Sequence, residues 1–133
     1  MKYLILIHSN PEPWGHPTSL FTAEGRALPQ QYHDRADREF DALLAEISAS
    51  GEFVSAEALG DPASATIYTF TVDDGQPGHL ATDGPYAEAK EQLAGFFLID
   101  CETRQRAEQI AEQFAGPGST VELRPVMWPG GAD

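Results

Sequence analysis

The sequence predicts an α+β domain of the split βαβ, ferredoxin-like type, carrying a β-hairpin insertion. Three observations carry that reading. Two runs, Lys2–Ile7 and Gly95–Cys101, are apolar on both alternating faces, as strands covered on two sides are. Each run is followed by a segment whose apolar residues recur at helical spacing. A final run alternates Val121, Leu123 and Pro125 with Glu122 and Arg124, the pattern of a half-exposed strand, and its proline suits a sheet edge. The order is β-α-β twice, with the first strand of each half in the middle of the sheet.

Taken in order, Lys2–Ile7 forms the first strand. Ser9–Gly25 holds three prolines and two glycines and is read as a loop with a short turn of helix. From about Gln30, the stripe Tyr32, Ala36, Phe40, Leu43, Leu44 and Ile47 predicts an amphipathic helix, with Pro29 at its opening and Gly51 at its C-terminal cap. Phe53–Leu59 returns to strand character and breaks at Gly60-Asp61-Pro62. Thr66–Val72 and a short strand at His79–Thr82 flank the turn signal Asp73-Asp74-Gly75-Gln76-Pro77-Gly78, which predicts a hairpin. After Gly95–Cys101, Thr103 caps a second helix with the stripe Ala107, Ile110, Ala111 and Phe114, closed by Gly116-Pro117-Gly118. The expected organisation is a single domain over 1–126 with the insertion at about 60–93, and a frayed tail over 127–133.

At 133 residues the chain is long enough for a sizeable core, and 41% apolar with 22% charged residues is a globular composition. No apolar stretch approaches the roughly 20 residues that cross a bilayer. A short N-terminal apolar run without a cleavage motif and a single cysteine, Cys101, lead us to expect a cytoplasmic protein with no disulfide. Net charge −13, from 21 acids against 8 Lys and Arg, argues against nucleic acid and anionic membranes as partners. The two helices cover one sheet face. The other would stay bare, so the expected partner is a second copy, two sheets stacking face to face in a homodimer.

The block Thr82-Asp83-Gly84-Pro85-Tyr86-Ala87-Glu88-Ala89-Lys90-Glu91-Gln92-Leu93-Ala94-Gly95-Phe96 resembles the signature of the YCII-related family in its DGPF branch, with Tyr86 standing for phenylalanine. Met1-Lys2-Tyr3-Leu4, the continuation Phe97-Leu98-Ile99-Asp100 and Val121-Glu122-Leu123-Arg124-Pro125 resemble the same branch. The resemblance implies a dimeric α/β-barrel-like fold. It implies no established activity; for the wider group it implies a His–Asp pair in some relatives, and some look like lyases or dehydrohalogenases. His33 is the histidine near the first helix, and its distance to Gly51 departs from that pattern, so the pair is not carried over.

The candidate site residues are Asp83, Glu88, Lys90 and His8. Asp83-Gly84-Pro85 is explained by turn chemistry alone; alternatively Asp83 acts as, or orients, a general base. Glu88, Lys90, Glu91 and Gln92 fit a solvated loop. In the functional reading Lys90, a donor-only cation, holds a carboxylate or enolate oxygen, with Glu88 or Glu91 holding the ammonium or carrying a proton. Alternation in an extended segment would group Glu88, Lys90 and Gln92 and set Glu91 opposite. His8 closes the first strand, either as a hydrogen-bonded rim residue or as a proton carrier. His8 and His33 are expected at one end of the sheet. The block feeds a strand read as parallel to the first, which puts it at the other end.

His16 and His79 have no partner at metal-ligand spacing, so no metal site is expected. Cys101, beside Asp100 and Glu102, is expected to be a poor nucleophile. No glycine-rich phosphate loop is present, and no cofactor is expected. Function stays open between a small-metabolite site with lyase- or isomerase-type proton transfer and a non-catalytic binding or regulatory module. A subunit of a larger enzyme is a third possibility.

Overall fold

The computed structural model describes residues 1–15, 19–87 and 89–127. Its elements are β1 (Lys2–Ser9), α1 (Ala23–Arg26), α2 (Gln30–Ser50), β2 (Phe53–Ala58), β3 (Thr66–Asp73), β4 (Gln76–Asp83), β5 (Gln92–Asp100), α3 (Arg104–Glu112) and β6 (Ser119–Pro125). Short 3-10 turns lie at Ser19–Phe21 and Pro62–Ser64. A four-stranded sheet has the order β2-β5-β1-β6, and β3 and β4 form a separate two-stranded ribbon. Every neighbour in the larger sheet is antiparallel. This is the ferredoxin-like arrangement, with β1 and β5 central and Pro125 on the outer strand.

The helices start and stop where local chemistry dictates. The hydroxyl of Thr103 accepts the Arg106 amide at the head of α3, and Gly51 closes α2 in the left-handed conformation. Both helices pack on one face of the sheet. Tyr3 and Ile5 from β1 and Ile99 from β5 meet Leu43 and Ile47 of α2 and Ile110 of α3 in a buried cluster. Phe114 extends this cluster, its ring 4.6 Å from Phe97 and 5.4 Å from Phe40. Alternation sends Leu4, Leu6, Phe96 and Leu98 to the opposite face, where they remain only half-buried.

Gly95 lets β2 come close. A Cβ built there would lie 2.8 Å from the Glu57 carbonyl oxygen, closer than any side chain tolerates. The residue therefore permits the Ala58 to Gly95 pairing that ends β2.

A charged clasp fastens α3 to the α2–β2 turn. Arg106 donates to both oxygens of Glu52, at 2.8 and 2.9 Å, and lies 3.6 Å from Glu46. These hydrogen bonds hold the Glu52 carboxyl below its ordinary range against the opposing effect of burial. A carboxyl depressed on folding stabilises the protein above its unfolded pKa, about 4.3, and loses that contribution as pH falls through the lower folded value. Arg106→Gln is expected to lose about 1–2 kcal/mol at pH 7. The deficit should shrink towards pH 3, and urea unfolding of both proteins at the two pH values measures it.

Candidate functional site

One end of the sheet gathers His8 and the segment that carries Lys90. Because β5 runs antiparallel to β1, the start of β5 lies beside the end of β1. His8 is opposite Leu93, and Ser9 is opposite Gln92. This corrects the expectation that the central block and His8 occupy opposite ends. In a split βαβ sheet the second central strand enters against the first, so the loop that feeds it arrives where the first strand leaves. On its other side His8 faces Thr120 of β6. Between Ile7 and His8 the register slips past Ala94, whose carbonyl instead accepts the Leu59 amide at 2.8 Å.

The block itself is a folded loop. Asp83 is the last residue of β4 and is exposed. Gly84 follows at φ 104°, a conformation open to glycine, and its amide donates to the Ala65 carbonyl at 2.7 Å. Residues 84–87 and 89–91 form bends and irregular backbone, so the alternation argument that separated Glu91 from Lys90 does not apply. The Gln92 side-chain amide folds the loop back by donating to the Ala87 carbonyl at 2.9 Å. Glu88 lies outside the described residues.

Lys90 points its ammonium to Glu24 of α1, 3.5 Å away, and is 81% exposed. Such a surface pair contributes roughly 0–1 kcal/mol, so another carboxylate can compete for the ammonium. Glu91 accepts a hydrogen bond from the Thr120 hydroxyl at 2.6 Å. The carboxylate that sequence alternation set apart is therefore anchored on the strand that flanks His8.

A shallow cleft of about 340 Å³ reaches Gln92 and Leu93 at the start of β5, and its lining includes none of His8, Asp83, Lys90 or Glu91. One wall is the linker Leu59–Pro62 with Ser64 and Ala65, and the other is Pro85, Tyr86, Gln92 and Leu93. The Trp14 indole donates to the Leu59 carbonyl at 3.0 Å and ties the loop after β1 to the rim. Asp61 caps the Pro62–Ser64 turn by accepting the Ala63 amide at 2.9 Å, which holds the first wall in shape.

The remaining candidates separate from this group. His33 is buried, and its Nε2 donates to the Gly25 carbonyl at 2.8 Å, so the ring joins α2 to α1. His79 stands on β4 with its ring edge-on to Phe70. Cys101 is buried. Burial pushes its thiol up, and Glu52 adds to the shift, so its inertness comes from the core more than from the adjacent acids expected to cause it. Among the described residues no group of three or more His, Cys, Asp or Glu could hold a metal ion, and His16 lies outside them. Sequence reasoning missed Trp14, Glu24 and Thr120. Only Trp14 carried a signal, as a large aromatic in a polar loop.

Among the described residues no helix is long and apolar enough to cross a membrane. A protein of Rhizobium meliloti (strain 1021), described as uncharacterised, is 34% identical over 94 residues, which covers 66% of this chain and 76% of that protein. The family model described as the YCII-related domain matches residues 1–127. With the split βαβ sheet, this match establishes that the chain belongs to the YCII-related family.

Proposed function

We propose that the protein binds a small metabolite carrying a carboxylate at the His8 end of the sheet and moves a proton on it, in a lyase- or isomerase-type step. The observation that carries this reading is the antiparallel entry of β5, which brings His8, the Glu91–Thr120 pair and the Lys90 loop to the end of the sheet where Gln92 and Leu93 line the cleft. Lys90 exchanges Glu24 for the carboxylate or enolate oxygen of the ligand, His8 carries the proton, and Asp83 at the end of β4 supplies a further carboxylate. The Asp83-Gly84-Pro85-Tyr86 run supports a place in the DGPF branch.

The test is thermal denaturation against small carboxylates and lactones. A ligand at ten times its Kd adds about 1.4 kcal/mol, about 5 °C for a chain of this size. The shift should vanish in Lys90→Ala and persist in His8→Gln, while deuterium uptake into the ligand from D2O should vanish in His8→Gln. Absence of any shift in the wild type would remove the site.

A second reading, a non-catalytic binding or regulatory module, is favoured by the exposure of Lys90 and the shallowness of the cleft. It predicts the same thermal shift with no deuterium uptake in any variant. An unfolded Lys90→Ala protein would make the loop a structural clasp.

We further propose a homodimer that stacks the bare faces of two sheets. The half-buried Leu4, Leu6, Phe96 and Leu98 on the face away from the helices support it. Leu6→Glu is expected to raise the dimer Kd at least 30-fold, read by sedimentation.

A further inference from the structure

Among the described residues the ribbon β3–β4 pairs with no other strand. Thr66 pairs with Asp83 at its base and Asp73 with Gln76 at its tip, in an unbroken register. Tyr68, Phe70 and Val72 on one face are 71, 62 and 65% exposed. An isolated two-stranded ribbon is marginal in water, whereas three or more strands with an apolar face are stable. Exposed strand edges are ordinarily guarded by charge, proline or a bulge. The run Thr66-Ile67-Tyr68-Thr69-Phe70-Thr71-Val72 of β3 has none of these, and its residues favour strand throughout.

Backbone geometry fixes which groups of β3 face outward. Asp74 and Gly75 make a two-residue turn with φ of 52° and 76°, the I′ geometry. Asp73 and Gln76 are then a hydrogen-bonded pair, and the two kinds of pair alternate along an antiparallel ladder. The amides and carbonyls of Thr66, Tyr68, Phe70 and Val72 therefore point away from β4. On the other edge Pro77, opposite Val72, removes an outward amide, so β4 is the guarded side.

The outward groups of β3 match a second copy of themselves. About a two-fold axis at Thr69, Tyr68 of one copy falls opposite Phe70 of the other, and Thr66 falls opposite Val72. Thr69 meets Thr69. Aromatic lies beside aromatic on one face and threonine beside threonine on the other, pairs that stabilise antiparallel strands. Asp73 falls opposite Ala65, and Asp83 lies on the far strand, so no acid faces an acid. Residues 62–72 and 75–82 carry no charged side chain, in a chain of net charge −13. Two copies can approach here with little repulsion.

We propose that β3 pairs edge to edge with β3 of a second copy of this chain, giving a four-stranded antiparallel sheet of order β4-β3-β3-β4. This contact is separate from sheet stacking, which uses the face of Leu4 and Leu6. Two aromatic side chains covered on one side, with the strand between them, bury on the order of 400 Å² per copy. The total of roughly 800 Å² is that of a weak, reversible interface. Ala65 precedes β3 and Pro85 follows β4, and both line the cleft, so pairing also steadies the cleft at the base of the ribbon.

The experiment uses the full chain at 10–500 µM in sedimentation velocity. Thr69→Lys sets like charges directly opposite each other, as does Thr69→Asp, and an equal mixture of the two sets opposite charges there. Thr69 is exposed, and circular dichroism checks each fold. The expected result is association of the wild type, weakened at least 30-fold in each variant and regained in the mixture. Across the axis the Thr69 Cα atoms would lie about 4.5 Å apart, within reach of a disulfide. Thr69→Cys should therefore cross-link to a dimer under oxidised glutathione, and Leu80→Cys, its neighbour on β4, should not. The native Cys101 is buried. Association that persists in both charge variants and falls in Leu6→Glu, with Thr69→Cys uncross-linked, overturns edge pairing and leaves sheet stacking standing. Association lost in the charge variants, regained in the mixture and indifferent to Leu6→Glu supports edge pairing and removes sheet stacking. A wild-type monomer throughout, with neither cysteine variant cross-linked, overturns both.

Discussion

Ile99→Ala should lower the unfolding free energy by about 3 kcal/mol, near the middle of the range for removing a buried isoleucine. For a chain of 133 residues that is a fall of roughly 10 °C in Tm. Ile99 is fully buried one residue before the end of β5, where it pairs with Tyr3 on one side and Phe53 on the other. It belongs to the same cluster as Ile47 and Ile110, one from each long helix. Truncation would leave a cavity walled by three different elements, and none of them can close it without pulling the others out of register. Calorimetry measures the loss. Ile99→Val, which removes one methylene, should cost about 1 kcal/mol and show that the effect follows volume.

Gly95→Ala should cost about 2–3 kcal/mol, although it adds only a methyl group. The added Cβ would meet the Glu57 carbonyl oxygen at 2.8 Å and the Ala58 Cα at 3.4 Å, both backbone atoms that cannot swing aside. The end of β2 must move, and with it the Leu59 amide that donates to Ala94. Leu59 forms part of the cleft wall, so this change couples stability to the candidate site. We expect a lower urea midpoint, faster exchange of the Leu59 amide, and weaker ligand-induced thermal shifts. Gly60→Ala is the control. Its nearest neighbour would be the Ser64 hydroxyl at 3.9 Å, so its stability should stay within about 0.5 kcal/mol of the wild type.

The two predictions separate what was legible in the sequence from what was not. Ile99 could be recognised as core because it sits in a run apolar on both faces, and only a central strand has that pattern. The caps at Gly51 and Thr103 were legible for a similar reason, since each depends on the backbone within a few residues. Pro125 was readable as an edge residue because it lacks the amide that an inner strand must donate. The hairpin followed from its turn residues, although β4 extends beyond the predicted His79–Thr82 to Gln76–Asp83.

The site was less legible. Its candidates lie far apart in sequence, and their meeting depends on pairings that carry no local signature. Glu91 reaches Thr120 across 29 positions, and Lys90 reaches Glu24 from the far side of α2, β2 and the ribbon. The local rule of alternation failed because the chain over 84–87 and 89–91 is bent. The direction of β5 against β1 decided the rest, and reading it as parallel placed the block at the wrong end.

By itself the sequence determined the elements, their caps, the two central strands and the family resemblance. All of these are written in short-range patterns of polarity and backbone preference. Only the tertiary structure decided that His8, Glu91 and Lys90 share one end of the sheet, that Gly95 admits β2, and that the ribbon stands free. Strand direction and close approach are set by contacts between distant segments, where the free energy of burial acts on the whole sheet and not on any one stretch of it.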